Sequence, residues 1–310
     1  MATQINGLHH ITAVSGPPEL NYDFYTRKLG LRFVKKTINF DDPFTYHLYY
    51  GNYEATPGSV ITFFPWQGVP LGSPSTGEAT VTSYAVPKGS LDFWRDHFTS
   101  HKIDVISEES RLGEHLIRFK DVEGMKNELV ETVVPDSVRP HKAEGIPESA
   151  AIRGFYGTTL SLADTGRTAE LLREFGWKEK AAEGDVLRFT SNPENHPGTT
   201  VDLKKEPGMR GRFGRGSIHH IAFRVPDDKV QEEWRNKLTE MGFGPTEVRD
   251  RQYFRSIYFR EPGGVLFEIA TDTPGFTKDE PLESLGQELK LPPWFEKNRA
   301  EIEKRLQCLT

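Results

Sequence analysis

Short apolar runs, alternating or continuous and closed by Gly, Pro or Asp, recur along the chain and predict β-strands. Fewer stretches carry helical spacing, and the order of the two repeats. Residues 8–64 and 218–270 both open on a strand with a histidine pair, Leu8-His9-His10-Ile11-Thr12-Ala13-Val14 and Ile218-His219-His220-Ile221-Ala222-Phe223. Each continues through an amphipathic helix, about Pro18–Leu29 and Asp228–Met241, ended by Gly30 or Gly242, as a glycine just past a helix end should. Three β runs follow, and each copy closes with a Pro-Gly turn and an apolar strand, Pro57–Phe64 and Pro262–Ile269.

Two weaker copies lie between. Residues 81–132 read as strand Val81–Val86, helix Leu91–Ser100 and further strands; residues 154–204 read as strand Gly157–Leu162, helix Arg167–Phe175 and further strands. The pattern predicts an α+β fold of four βαβββ modules, paired into two half-barrels whose concave sides are open to ligands. We divide the chain into 6–134 (two modules), 152–272 (two modules) and a tail 273–310 with a charged helix from about Trp294 to Leu306.

The histidine pairs carry the candidate chemistry. Strand alternation sends the two members of a pair to opposite faces, so one of each faces the concavity. Glu268 interrupts the apolar run Val265-Leu266-Phe267-Glu268-Ile269-Ala270. A buried carboxylate is costly unless it is paired or holds a metal. Its counterparts in the other copies read as Phe63, Glu128 and Asp202. Two imidazoles and one carboxylate form the facial triad of non-haem Fe(II) oxygenases. The plainer alternative makes the histidines ordinary strand residues and pairs Glu268 with an Arg. Tyr258 lies on the strand expected to fold back against Glu268, Arg251 could hold a phenolate or carboxylate, and Thr12 shares a face with His10. His47, among aromatics in Thr45-Tyr46-His47-Leu48-Tyr49, reads more as a core histidine than as a ligand.

Composition narrows the partners. Lys+Arg 39 against Asp+Glu 45 gives a net charge of -6 over 310 residues, without the basic patch or stripe that signals nucleic-acid binding. The most basic stretch, Met209–Arg215, reads as a loop. No run reaches a membrane span, and the first twenty residues lack a secretory pattern. The one cysteine, Cys308, excludes an intramolecular disulfide and a Cys-rich zinc site, and fits a reducing cytoplasm. A homodimer is compatible with the sequence, although no residue argues for it.

These motifs resemble the vicinal oxygen chelate superfamily of glyoxalase I, bleomycin-binding proteins and extradiol dioxygenases. The runs Arg32–Thr37, Tyr46–Tyr49, Pro57-Gly58, Pro87–Ser90, Asp250-Arg251, Pro262–Val265 and Pro274–Thr277 are similar to its two-domain ring-cleaving dioxygenases acting on hydroquinones. The resemblance implies Fe(II), or Mn(II) on the same ligands, held by His10, His220 and Glu268. Thr12, His219, Arg251 and Tyr258, with His9 a weaker candidate, fall at pocket positions. The partners implied are a small aromatic substrate and O2. Catechol enzymes carry an acid–base histidine upstream of the second metal histidine; here Glu206-Pro207-Gly208-Met209 has none, and Tyr258 or His219 is the candidate substitute. Competing readings are a metal-dependent isomerase or lyase like glyoxalase I, which would want a carboxylate at position 63, and a metal-free small-molecule-binding protein. Phe63, Phe223, Tyr253, Phe254 and Phe267 are candidate pocket aromatics. The tail Pro274–Glu288 either covers the site as a lid or packs on the barrel.

Overall fold

In the computed structural model, residues 3–192, 196–307 and 309 are described; Cys308 falls outside them. The strands are β1 Leu8–Ser15, β2 Arg32–Asn39, β3 Asp42–Gly51, β4 Val60–Pro65, β5 Glu78–Pro87, β6 Val105–Arg111, β7 Glu114–Lys120 and β8 Lys126–Thr132. They continue with β9 Gly154–Leu162, β10 Lys178–Glu183, β11 Val186–Thr190, β12 Thr200–Lys205, β13 Ile218–Val225, β14 Arg249–Asp250, β15 Arg255–Arg260 and β16 Leu266–Thr271. The α-helices are α1 Pro18–Tyr22, α2 Leu91–Ser100, α3 Gly166–Glu174, α4 Asp228–Glu240 and α5 Arg299–Arg305. The four βαβββ modules and the α+β class are present. No described helix is long and apolar enough to cross a membrane.

The helices lie where expected and differ in form at the first and the last. The first is α for one turn and continues as a π-helix over Asp23–Lys28. The last forms as a short 3-10 turn at Glu296–Asn298 followed by α5. The best formed is α4, where the Asp227 carboxylate accepts from the Val230 N–H at 3.0 Å, an N-cap bond.

The pairing of the modules corrects the division at 6–134 and 152–272. One eight-stranded sheet runs β14-β15-β16-β13-β1-β4-β3-β2 and joins the first module to the fourth. The other runs β10-β11-β12-β9-β5-β8-β7-β6 and joins the third to the second. The seams are antiparallel, β1 on β13 and β5 on β9. Neither half-barrel is therefore a half of the chain. The physical reason lies in the opening strands: β1 and β13 are buried along nearly their whole length, and each needs the other to satisfy its open edge.

The helices and the backs of both sheets share one apolar cluster drawn from all four modules. Phe24 of the first module stacks on Phe119 of the second, and Phe175 of the third meets Phe223 of the fourth edge to face. Phe63, Phe223 and Phe267 belong to this cluster, so they back the sheet and do not line a site. The tail occupies part of the concave face of the first half-barrel. Phe276 stacks on Tyr253 and meets Tyr49 edge-on. The buried Lys35 ammonium binds Asp279 at 2.7 Å and also Glu280. The segment 274–288 packs into the barrel; it contributes no residue to the cavity described next.

Candidate active site

The two histidine pairs face each other across the β1–β13 seam. The ladder matches Leu8 with Phe223 and then His10 with Ala222, so His9 has no partner. It matches Thr12 with His220 and then Ala13 with Ile218, so His219 has none. Each pair thus holds a β-bulge, which re-aims side chains next to sites of function. This corrects the expectation from strict alternation. The two rings of each pair stand side by side: His9 Nδ1 lies 2.9 Å from His10 Nδ1, and His219 Nδ1 lies 2.7 Å from His220 Nδ1.

The second member of each pair then turns its Nε2 inward. His10 Nε2 and His220 Nε2 are 3.3 Å apart. Both meet the same carboxylate oxygen, Glu268 Oε2, at 3.3 and 2.9 Å. The three residues are buried and their donor atoms lie within 4.8 Å of one another. Burial pushes a carboxyl up, but the imidazoles of His10 and His220 hold Glu268 well below the usual range. Burial lowers His220, against the pull of Glu268. Burial also brings His219 down to about 3, and burial followed by His10 holds His9 well below its ordinary value. His9 and His219 are therefore neutral and can accept the Nδ1–H of their neighbours, which fixes the inward tautomer of a ligand histidine.

Glu268 is held from behind by Ser256 on β15, whose Oγ donates to Oε1. No Arg reaches Glu268; its Oε2 makes no well-formed hydrogen bond. A fully buried, orphaned carboxylate oxygen facing two imidazole nitrogens is costly as it stands and fits a divalent cation with His and carboxylate ligands. His10, His220 and Glu268 are the residues that would hold it.

Beside this triad opens a cavity of about 220 Å³, lined by His10, His47, Tyr49, Phe64, Trp66 and Phe254 together with His219, His220, Arg251 and Tyr258 and, at β2 and its turn, Asn39, Phe40 and Asp41. An engineered cavity of roughly 150 Å³ holds benzene, so this one admits a single substituted ring. Tyr258 lies opposite Glu268 in the β15–β16 ladder, as expected, and accepts from Arg251 Nε at 3.1 Å. Burial raises its hydroxyl, with Glu268 adding to the shift. Arg251 also pairs with Asp41 at 3.1 Å. Thr12 and His9 are buried beside the triad but do not line the cavity.

The candidate pocket aromatics are corrected to one: only Phe254 lines the cavity, and Tyr253 turns to Phe276 and Asp279. Phe63 also loses its assignment as the counterpart of Glu268. His10 matches His220, so Thr12 matches Ala222; Ala222 pairs with Glu268, whereas Thr12 pairs with Thr62. The turn at Pro57 is one residue shorter than that at Pro262, and a slip of one exchanges the faces of a strand. The position still holds no carboxylate. Ser256, Thr62, Tyr49, Phe64 and Trp66 carry no signal in the sequence, and His47 lies on the cavity wall, not in the core. A lone Ser, Thr or His on a strand carries no motif, whereas the β15–β16 register would have found Ser256.

Comparison with known proteins agrees with the fold. The profile of the Glyoxalase/Bleomycin resistance protein/Dioxygenase superfamily matches residues 181–269. The chain is 45% identical over 307 residues to "Putative ring-cleaving dioxygenase MhqO" of Bacillus subtilis, covering 99% of this chain and 97% of that one. It is 33% identical to "Chlorohydroquinone/hydroquinone 1,2-dioxygenase" of Sphingobium indicum, over 96% and 95% of the two chains. A solved structure of a "putative dioxygenase" from Bacillus subtilis superposes with a TM-score of 0.95 at 43% identity, covering 100% of this chain and 99% of that one. The chain belongs to the glyoxalase/bleomycin resistance/dioxygenase superfamily. Within it, the full-length relatives named above are dioxygenases by name, the first of them ring-cleaving.

Proposed function

We propose that the chain is a cytoplasmic, non-haem Fe(II)-dependent dioxygenase that opens the ring of a hydroquinone-type phenol with O2. The observation that carries this reading is the convergence of His10 and His220, which line a ring-sized cavity, on the orphaned Oε2 of Glu268. Three protein ligands leave positions free for substrate and O2, unlike the closed set of a structural site. The full-length similarity to a hydroquinone dioxygenase supports the substrate class. Thr62 at the position matching Glu268 speaks against the isomerase reading, which would want a second carboxylate there.

When bound, the metal supplies Lewis acidity and a path for electrons from the ring to O2. The chain does the rest. His9 and His219 orient the two ligand histidines, and Ser256 orients Glu268. Phe254, Phe64 and Trp66 give the ring an apolar seat. Arg251 and Tyr258 place a cation and an O–H where negative charge develops on oxygen.

The test is anaerobic purification with metal analysis, then oxygen-electrode traces with methylhydroquinone, chlorohydroquinone and catechol. About one iron per chain and O2 uptake on a hydroquinone are expected. In Glu268→Ala both fall to background while the fold persists by circular dichroism. Full uptake by that variant sinks the assignment; uptake on catechol alone moves the substrate class.

A further inference from the structure

The cavity holds a second polar group on the wall formed by β3 and β4. His47 on β3 is bonded at both ring nitrogens. Its Nδ1 lies 2.8 Å from the Tyr49 hydroxyl, and its Nε2 lies 2.7 Å from Thr62 Oγ1. Thr62 Oγ1 in turn lies 2.8 Å from Thr12 Oγ1. Tyr49 and His47 both line the cavity beside His10 and His220, while Thr62 and Thr12 are fully buried behind them. None of these bonds is needed to hold the triad.

The direction of the chain depends on its protonation. Burial holds the Tyr49 phenol well above its ordinary value; Arg251 opposes the rise, and Tyr258 and Glu268 add to it. Burial keeps the His47 ring neutral, with His10, His220 and Arg251 acting the same way and Glu268 opposing. With the phenol donating to a bare Nδ1, the direction this proposal takes, the single N–H of the neutral ring sits on Nε2 and donates to Thr62. The Thr62 hydroxyl then donates to Thr12. A base whose far nitrogen is fixed by a third group is the arrangement of a general acid–base couple.

We propose that Tyr49 and His47 form the proton-transfer couple of this site, acting on the substrate hydroxyl that is not held at the His10–His220–Glu268 centre. This rests on the dioxygenase reading above. The distal phenol gives its proton to the Tyr49 oxygen as Tyr49 passes its own proton to His47 Nδ1. One proton moves: the substrate becomes a phenolate, His47 an imidazolium, and Tyr49 is unchanged. Thr62 continues to accept from Nε2. Because burial disfavours the charged ring, His47 returns the proton readily later in the turnover. The couple supplies what the segment 206–209 lacks. His219 is engaged at Nδ1 by His220, and Tyr258 accepts from Arg251.

The experiment has two arms. In the metal-free protein, nitrogen-15 NMR of the histidine rings at pH 7.5 reads the tautomer directly. The expected result is a neutral Nε2–H ring for His47, with the Nδ1 resonance moving toward the value of an unbonded nitrogen in Tyr49→Phe. A doubly protonated ring or an Nδ1–H tautomer overturns the proposal. In the iron-loaded enzyme, His47→Ala is expected to lose 10²–10⁴-fold in kcat for a hydroquinone, with KM nearly unchanged, and to recover part of it with added imidazole. His47→Gln, which keeps the space filled, is expected to lose as much. A loss in KM alone, or variants within threefold of wild type, overturns the couple while the dioxygenase reading stands. Wild type that holds iron and consumes no O2 overturns that reading instead, and the NMR arm still decides the tautomer.

Discussion

The two half-barrels place different chemistry on the same scaffold positions. In the first, the two carboxylate-equivalent positions are Thr62 and Glu268, and the residues opposite them across the ladder are Tyr49 and Tyr258. In the second, they are Glu128 and Asp202, faced by Arg118 and Arg188. The two inward histidine positions, His10 and His220, become Val81 and Gly157 by the register of the β5–β9 seam. Glu128 receives Arg111, Arg118 and Ser83, and Asp202 is held by two bonds from Arg188 at 2.7 and 2.8 Å. The second half-barrel neutralises its carboxylates internally. The first leaves one buried carboxylate with no cation of its own and two imidazoles aimed at it. One half-barrel pairs its buried carboxylates with arginine; the other sets two histidines against its own.

The sharpest break of this contrast is Arg188→Ala. It leaves the buried Asp202 with Arg111 alone, 3.5 Å away, and should cost up to about 3–5 kcal/mol in urea unfolding, while iron content and O2 uptake per folded molecule stay unchanged. Glu268→Gln in the metal-free protein should cost less, about 1.5 kcal/mol, because its partners are two imidazoles and the Ser256 hydroxyl and no guanidinium. Comparable losses for the two would mean that Glu268 already has a protein counter-charge. Next is Ser256→Ala, which removes the group behind Glu268. Metal affinity, read by chelator competition, should fall roughly 10–100-fold, and stability should change little.

The smallest effect is in acid. His9, His47 and His220 are lowered from 6.5 by burial first, and His219 falls to about 3. The unfolded chain therefore binds more protons over that window. The stability these rings contribute is complete above about pH 6.5 and is lost as pH falls through the folded values. Glu128 is buried, which raises its carboxyl, but Arg111 and Arg118 hold it below 4.5. Its contribution is complete above that value and is lost further down. In the metal-free protein, amide-exchange protection in β1 and β13 should decline between pH 7 and 5 while β5 and β9 keep theirs. Parallel decline would erase the distinction.

The modules, helices and triad were legible because they repeat or interrupt a pattern. Glu268 breaks an apolar strand, and His10 and His220 recur at one module position. What stayed hidden was small in sequence and large in space. A bulge adds one residue to a strand, and a period-two pattern does not register it, so alternation places His9 and His219 opposite their neighbours, whereas the structure sets them beside those neighbours. The one-residue difference between the turns at Pro57 and Pro262 moved the counterpart of Glu268 from Thr62 to Phe63. The partner of each module was hidden for another reason. Consecutive elements neighbour each other about two times in three, and that prior favoured contiguous halves over the closure of the first module on the fourth. His47 was discounted because nothing local distinguishes a site histidine from a core one; Thr62 comes from the next strand.

The closure of the first module on the fourth sets an order of events during synthesis. β1 must wait for β13, about 200 residues further on, and at roughly 5–20 residues per second that is about 10–40 s. β5 and β9 meet much sooner, so the arginine-rich half-barrel has its strands in hand while β1 still presents an open edge bearing His9, His10 and Thr12. Glu268 emerges later still. The His10–His220–Glu268 group is thus complete only once β16 has been made, and a chain that stops short of it carries both histidines without their carboxylate.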